Sequence, residues 1–131
     1  MKRVAGLFCA GLALFGNRAY AGAETALQMK SYCEPIYNNS GVNSEGRLTN
    51  FPNTQEAWQC WGAFAAIQSL VVVVDSETHQ ELLRSCPAPD VTRLQMISIF
   101  VRYANNNPQL LNLPFAVVVM SSLSASFPCS K

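Results

Sequence analysis

The sequence predicts an all-α fold, a small four-helix bundle-like domain stapled by two disulfides. Three observations carry that expectation. Apolar residues recur at helical spacing along most of the chain, capping patterns open two of the apolar segments, and no run alternates apolar and polar residues long enough to make a useful strand. The chain has 131 residues, half of them hydrophobic and only 13% charged. That is one domain's worth, able to fill a core and unlike a disordered tail.

Residues 1–21 read as a secretory signal. Met1-Lys2-Arg3 is the basic start, Val4 to Phe15 the apolar stretch, and Ala19-Tyr20-Ala21 a small-x-small cleavage site. The expectation is a periplasmic protein cleaved after Ala21, with residues 22–131 as the domain. Cys9 falls inside the apolar stretch with bulky Phe8 before it, too early for a lipid anchor. Residues 22–131 keep six of the nine basic residues and all eight acids. A slightly acidic exported domain has no electrostatic footprint for nucleic acid.

The first helix is expected over Glu24 to Cys33, stopped by Pro35. Residues 38–53 are rich in Asn, Ser and Gly, a loop by composition. Asn38-Asn39-Ser40 has the form of a glycosylation sequon but reads as an Asn-rich turn. Asn53 with Glu56 has the spacing of a capping box for the second helix. That helix is uncharged from Ala57 to Val74. At about 1.5 Å per residue the segment is roughly 27 Å long, near the lower limit for a membrane span. The scattered Gln55, Gln59, Gln68 and Ser69, with Trp58, Cys60 and Trp61 crowded at one end, point to a buried core helix and against stable membrane insertion. Ala57, Cys60, Phe64, Ile67, Val71 and Val74 form its apolar stripe; Gly62, Ala66 and Ser69 form a second stripe where another helix can approach closely.

Residues 75–91 connect to the third helix and hold half of the chain's eight acids. Thr92 with Gln95 is another capping box, opening a helix from Arg93 to about Asn106. It has two apolar rows, Leu94-Ile97-Val101-Ala104 and Met96-Ile99-Phe100-Tyr103. Either both rows face the core, or one faces a partner or second copy. The fourth helix is expected from Asn112, with Pro114 in its first turn, to Phe127. Its core stripe is Ala116, Met120, Leu123 and Phe127.

Cys33, Cys60, Cys86 and Cys129 form an even set in an exported chain, and none is paired in a C-x-x-C spacing that would suggest zinc. Antiparallel neighbours bring the end of helix 1 to the start of helix 2, and the start of helix 3 to the end of helix 4. That selects Cys33–Cys60 and Cys86–Cys129, each satisfying the roughly 5.5 Å Cα spacing a disulfide needs. Each is worth on the order of 3–4 kcal/mol by chain entropy.

No catalytic set is visible. The only histidine, His79, lies in a connecting segment among Thr78, Gln80 and Glu81, and the cysteines of residues 22–131 are expected to be oxidised. No Gly-rich phosphate loop is present, and the acids lie in termini and loops. The expectation is a binding protein, without catalytic residues, metal or cofactor.

The second half carries a recognisable pattern: Cys86-Pro87, Val91-Thr92, Gln95, the run Ile97-Ser98-Ile99-Phe100-Val101, Arg102-Tyr103, Asn107-Pro108, and a last helix closing on Phe127-Pro128-Cys129. Upstream, Cys60-x-Gly62 opens an apolar helix. Together these resemble the Rap/Tai family of immunity proteins, which neutralise type VI secretion amidase effectors. Ala63 and Ala66 stand where family members tend to show an aromatic and a second glycine, and residues 38–52 form an inserted loop. The resemblance implies a small helical protein, often a homodimer, that blocks the groove of a cysteine-histidine peptidoglycan amidase. Two segments are the candidate partner-binding regions: the acidic one with Asp75, Glu77 and Glu81, and the inserted loop with Glu45 and Arg47. The rival readings are a periplasmic chaperone-like protein, disfavoured by the low charge, and another envelope-binding protein of the same fold.

Overall fold

A computed structural model describes residues 24–73 and 83–129. Four helices make the fold: α1 (Ala26–Asn39), α2 (Gln55–Leu70), α3 (Arg93–Asn106) and α4 (Phe115–Ser126). A two-stranded antiparallel hairpin, β1 (Gly41–Val42) and β2 (Leu48–Thr49), stands between α1 and α2, with Gly41 opposite Thr49 and Val42 opposite Leu48. This tiny sheet occupies the segment expected to be a loop. A 3₁₀ turn, Pro108–Leu110, links α3 to α4.

α1 and α3 each pack against all three other helices. Both apolar rows of α3 therefore face the chain's own core. Met96, Ile97, Phe100, Val101 and Ala104 are buried, while Leu94, Ile99 and Tyr103 are partly buried against them. The open choice for α3 thus resolves without a partner. Its Thr92–Gln95 capping box forms as expected, with the Thr92 hydroxyl accepting from the Gln95 N–H and the Gln95 side chain accepting from the Thr92 N–H. Phe64, Phe100 and Phe115 bring α2, α3 and α4 together, with ring centroids 5.1–5.8 Å apart.

The two expected disulfides are present, Cys33–Cys60 with Cα atoms 5.4 Å apart and Cys86–Cys129 at 5.0 Å. Cys33 and Cys60 are fully buried, whereas Cys86 and Cys129 are half-buried and outside the helices. The start of α1 docks on the α3–α4 connection: the Ala26 and Leu27 N–H groups donate to the Leu113 and Leu111 carbonyls, and Phe115 N–H donates to the Glu24 carbonyl. Helix-terminal donors that no turn can satisfy are thereby used to hold α1 against α4.

Several boundaries differ from expectation for tertiary reasons. Pro35 does not stop α1, which runs on to Asn39. The proline forfeits one helical hydrogen bond, but Cys33 and Ile36 on either side are fully buried, and Asn39 Nδ2 donates back to the Pro35 carbonyl. Asn38 and Asn39 are consequently the end of a helix and not a free turn. The cap of α2 is Thr54, whose Oγ1 accepts from Ala57 N–H, one residue beyond the expected Asn53. The helix stops at Leu70; Val71 is buried, and Val72 and Val73 are exposed. Val74 lies outside the described residues. Gly62, Ala66 and Ser69 are exposed, and a Cβ on Gly62 would meet nothing within 4 Å, so among the described residues no helix approaches that stripe.

α4 begins at Phe115 after Pro114, not at an Asn112 cap. Its buried residues are Val118, Val119, Ser122 and Leu123, while Ala116 and Met120 face out. The expected stripe was rotated by about one residue, roughly 100°. No charge on α4 marks the solvent side, so packing alone sets the face that turns inward.

Candidate functional site

Glu45 and Arg47 lie exposed at the turn of the hairpin. Asn43 N–H donates to the Arg47 carbonyl, and Gly46 N–H to the Asn43 carbonyl. The Asn43 side-chain oxygen accepts from both the Glu45 and the Arg47 N–H, at 3.0 and 2.8 Å. Gly46 takes φ +76°, the left-handed residue that a three-residue hairpin loop needs. The turn is thus pre-formed by its own backbone and one asparagine. Arg47 Nε lies 3.3 Å from Glu45 Oε2, both side chains largely in solvent, so the pair presents two opposite charges side by side and adds little stability. Asp75, Glu77 and Glu81, with His79, lie outside the described residues.

Directly after the hairpin, Asn50 adopts φ +55° and turns the chain into Phe51. Phe51 lies 4.7 Å from Trp58 and 5.4 Å from Trp61, ring centroid to ring centroid. Trp58 is 54% exposed, and its Nε1–H donates to Asn53 Oδ1. The Arg93 guanidinium, from the first turn of α3, lies 4.7 Å over the Trp61 ring, a cation–π distance. Arg93 Nε donates to Gln68 Oε1, and Gln68 Nε2 to the Val91 carbonyl. Among the described residues no carboxylate pairs with Arg93.

Sequence reasoning missed this cluster. A partial signal was present, since Trp58 and Trp61 are three residues apart and both fall off the stripe of Ala57, Cys60 and Phe64. Phe51 was legible only as the end of a loop, and Arg93, far along the chain, carried no signal at all.

No group of three or more His, Cys, Asp or Glu residues among the described residues could hold a metal ion. No helix among them is long and apolar enough to cross a membrane. A sequence profile of the Rap1a immunity proteins matches residues 48–129, more than half of the chain. The chain belongs to this family. No curated protein and no solved structure matches it. In this Rap1a immunity protein the match runs from β2 through α4. It takes in the whole aromatic cluster, Cys60 and the Cys86–Cys129 pair, and it leaves out α1, Cys33 and the hairpin turn with Glu45 and Arg47.

Proposed function

We propose that the chain is a periplasmic immunity protein that binds and inhibits a peptidoglycan amidase delivered by type VI secretion, protecting the cell that makes it. Membership of the Rap1a immunity family is the observation that carries this reading. The signal-like segment at residues 1–21 supports export, as do two disulfides of the kind that persist in an oxidising compartment. The protein acts by occupancy, without chemistry of its own. The hairpin turn with Glu45 and Arg47, and the acidic segment with Asp75, Glu77 and Glu81, contact the enzyme beside its groove. A homodimer is part of the same proposal, and sedimentation of the purified protein tests it.

The functional test is capture. Tagged, oxidised residues 22–131 are exposed to secreted and periplasmic fractions of the source organism, and bound proteins are read by mass spectrometry. One small amidase with a cysteine-histidine pair is expected, held with a nanomolar or tighter Kd, about 12 kcal/mol, and losing activity on stoichiometric addition. Recovery of assorted unfolded clients, or of the protein alone, overturns the reading.

A further inference from the structure

The aromatic and guanidinium cluster beside the hairpin has a composition and a rigidity that its place in the fold does not require. Core packing already has Phe64, Phe100 and Phe115. Trp58 contributes little there, because more than half of it stays in water. Yet its ring is held, by Phe51 against its side and by the hydrogen bond from Nε1 to Asn53. Arg93 is likewise restrained, between the Trp61 face and Gln68. Ordering such side chains at an interface ordinarily costs conformational entropy, and here the ordering precedes any partner.

We propose that this cluster is the anchor of the complex with the partner enzyme: Trp58 enters an apolar pocket on that enzyme, and Arg93 pairs with a carboxylate at the pocket's rim. The inference rests on the immunity reading and adds the surface and the partner chemistry to it. Trp and Arg are the residue types in which binding energy concentrates at protein interfaces, as large contact areas whose polar ends still find partners. Charge sets the partner's side. Around the rings, the half-buried Arg93 has no acid among the described residues, and a carboxylate brought by the partner would face a guanidinium already desolvated by the Trp61 ring.

The arrangement favours a protein over a glycan. A sugar site surrounds its aromatic platform with free hydrogen-bonding side chains. Here Gln68 is engaged at both ends, by Arg93 and the Val91 carbonyl, and the Asn53 side-chain oxygen is taken by Trp58. What is left outward is ring surface and donors only, the Asn53 amide N–H groups and the remaining guanidinium N–H groups. That suits an apolar patch edged by an acid.

The test uses the amidase recovered by capture, with the binding constant measured for the native protein and for Trp58→Ala, Arg93→Gln and Val117→Ala. Val117 is an exposed apolar residue on α4 and serves as the control. Trp58→Ala is expected to weaken binding about 30-fold or more, with its thermal unfolding midpoint close to the native one. Arg93→Gln is expected to weaken it about 10-fold and to flatten the dependence of affinity on salt. Val117→Ala leaves both unchanged. If the native protein binds an amidase and the Trp58 and Arg93 variants bind it equally well, the anchor is elsewhere and the immunity reading stands. If the native protein captures no amidase, both fall. Titration with soluble peptidoglycan fragments supplies the remaining arm: saturable binding that Trp58→Ala abolishes would make the cluster a glycan site and overturn the proposal.

Discussion

Each half of this molecule closes on a disulfide, and the two bonds sit in different surroundings. In the first half Cys33 and Cys60 project from α1 and α2 into the core and are fully buried. In the second half Cys86 and Cys129 lie outside the helices, half-exposed, where Cys86 N–H also donates to the Phe127 carbonyl. The first bond is core material that happens to be covalent. The second ties two chain segments that a backbone hydrogen bond already brings together. Chain entropy ignores this distinction: for sequence separations of 27 and 43 it assigns about 3.6 and 4.0 kcal/mol, ranking the second bond slightly higher.

Burial reverses that order. Replacing Cys33 and Cys60 together by Ala removes the cross-link and also two buried sulfur atoms, leaving a cavity between α1 and α2. The expected loss is about 5 kcal/mol, enough to unfold much of a domain this size at 37 °C. Replacing Cys86 and Cys129 by Ala is expected to cost about 3 kcal/mol and to leave a cooperative fold. Denaturant unfolding followed by circular dichroism decides it; a larger loss for the Cys86/Cys129 pair would show that loop length governs. A dithiol reductant sharpens the same contrast. Alkylation mapped by mass spectrometry should show Cys86–Cys129 opening first, because thiol exchange needs access to the sulfur.

A second contrast runs across α4. Leu123 is buried and Met120 partly exposed on the same helix. Leu123→Ala is expected to cost about 3 kcal/mol, within the usual range for a core leucine, and Met120→Ala less than about 1. Equal losses would mean that the face of α4 assigned to solvent is covered in solution.

That helix also marks where the sequence stops being readable. Features set within a few residues were legible: the Thr92–Gln95 box, the stripe of Ala57, Cys60 and Phe64, and the end of α3 before Pro108. The disulfide pairing was legible too, because it follows from helix order. What failed depended on contacts distant in sequence. Pro35 is carried inside α1 by the burial of its neighbours, and α4 is oriented by α1 and α3 because its own residues hold no charge. Of the candidate site, the hairpin residues Glu45 and Arg47 were legible as an exposed loop. The aromatic cluster was not, since it exists only once α3 brings Arg93 over Trp61.

Ser85 gives a smaller test of the second half. Its hydroxyl is fully buried beside Cys86 and has no hydrogen-bond partner among the described residues. A buried donor left unmade costs about 1 kcal/mol or more, so Ser85→Ala is expected to raise stability by about 1 kcal/mol. The first half holds no such unpaired side chain among the described residues. A loss of stability in this variant would show that the hydroxyl is bonded in solution and that the two halves are equally well satisfied.

The smallest expected effect lies at the hairpin turn, where Gly46 holds φ +76° with open space around its Cα. Alanine there meets no neighbour, so its cost is conformational alone, about 1 kcal/mol within the hairpin. Little of that should reach the rest of the molecule. The strands are two residues each, and α1 and α2 are joined beneath them by the buried Cys33–Cys60 bond, so the hairpin can open while both helices stay in place. Global stability measured by denaturant is therefore expected to fall by less than about 0.5 kcal/mol. Amide exchange at Arg47, whose N–H is held by the Asn43 side chain, should nevertheless quicken. A global loss matching the full local strain would mean that the hairpin unfolds only with α1 and α2, extending the rigid first half to its exposed tip.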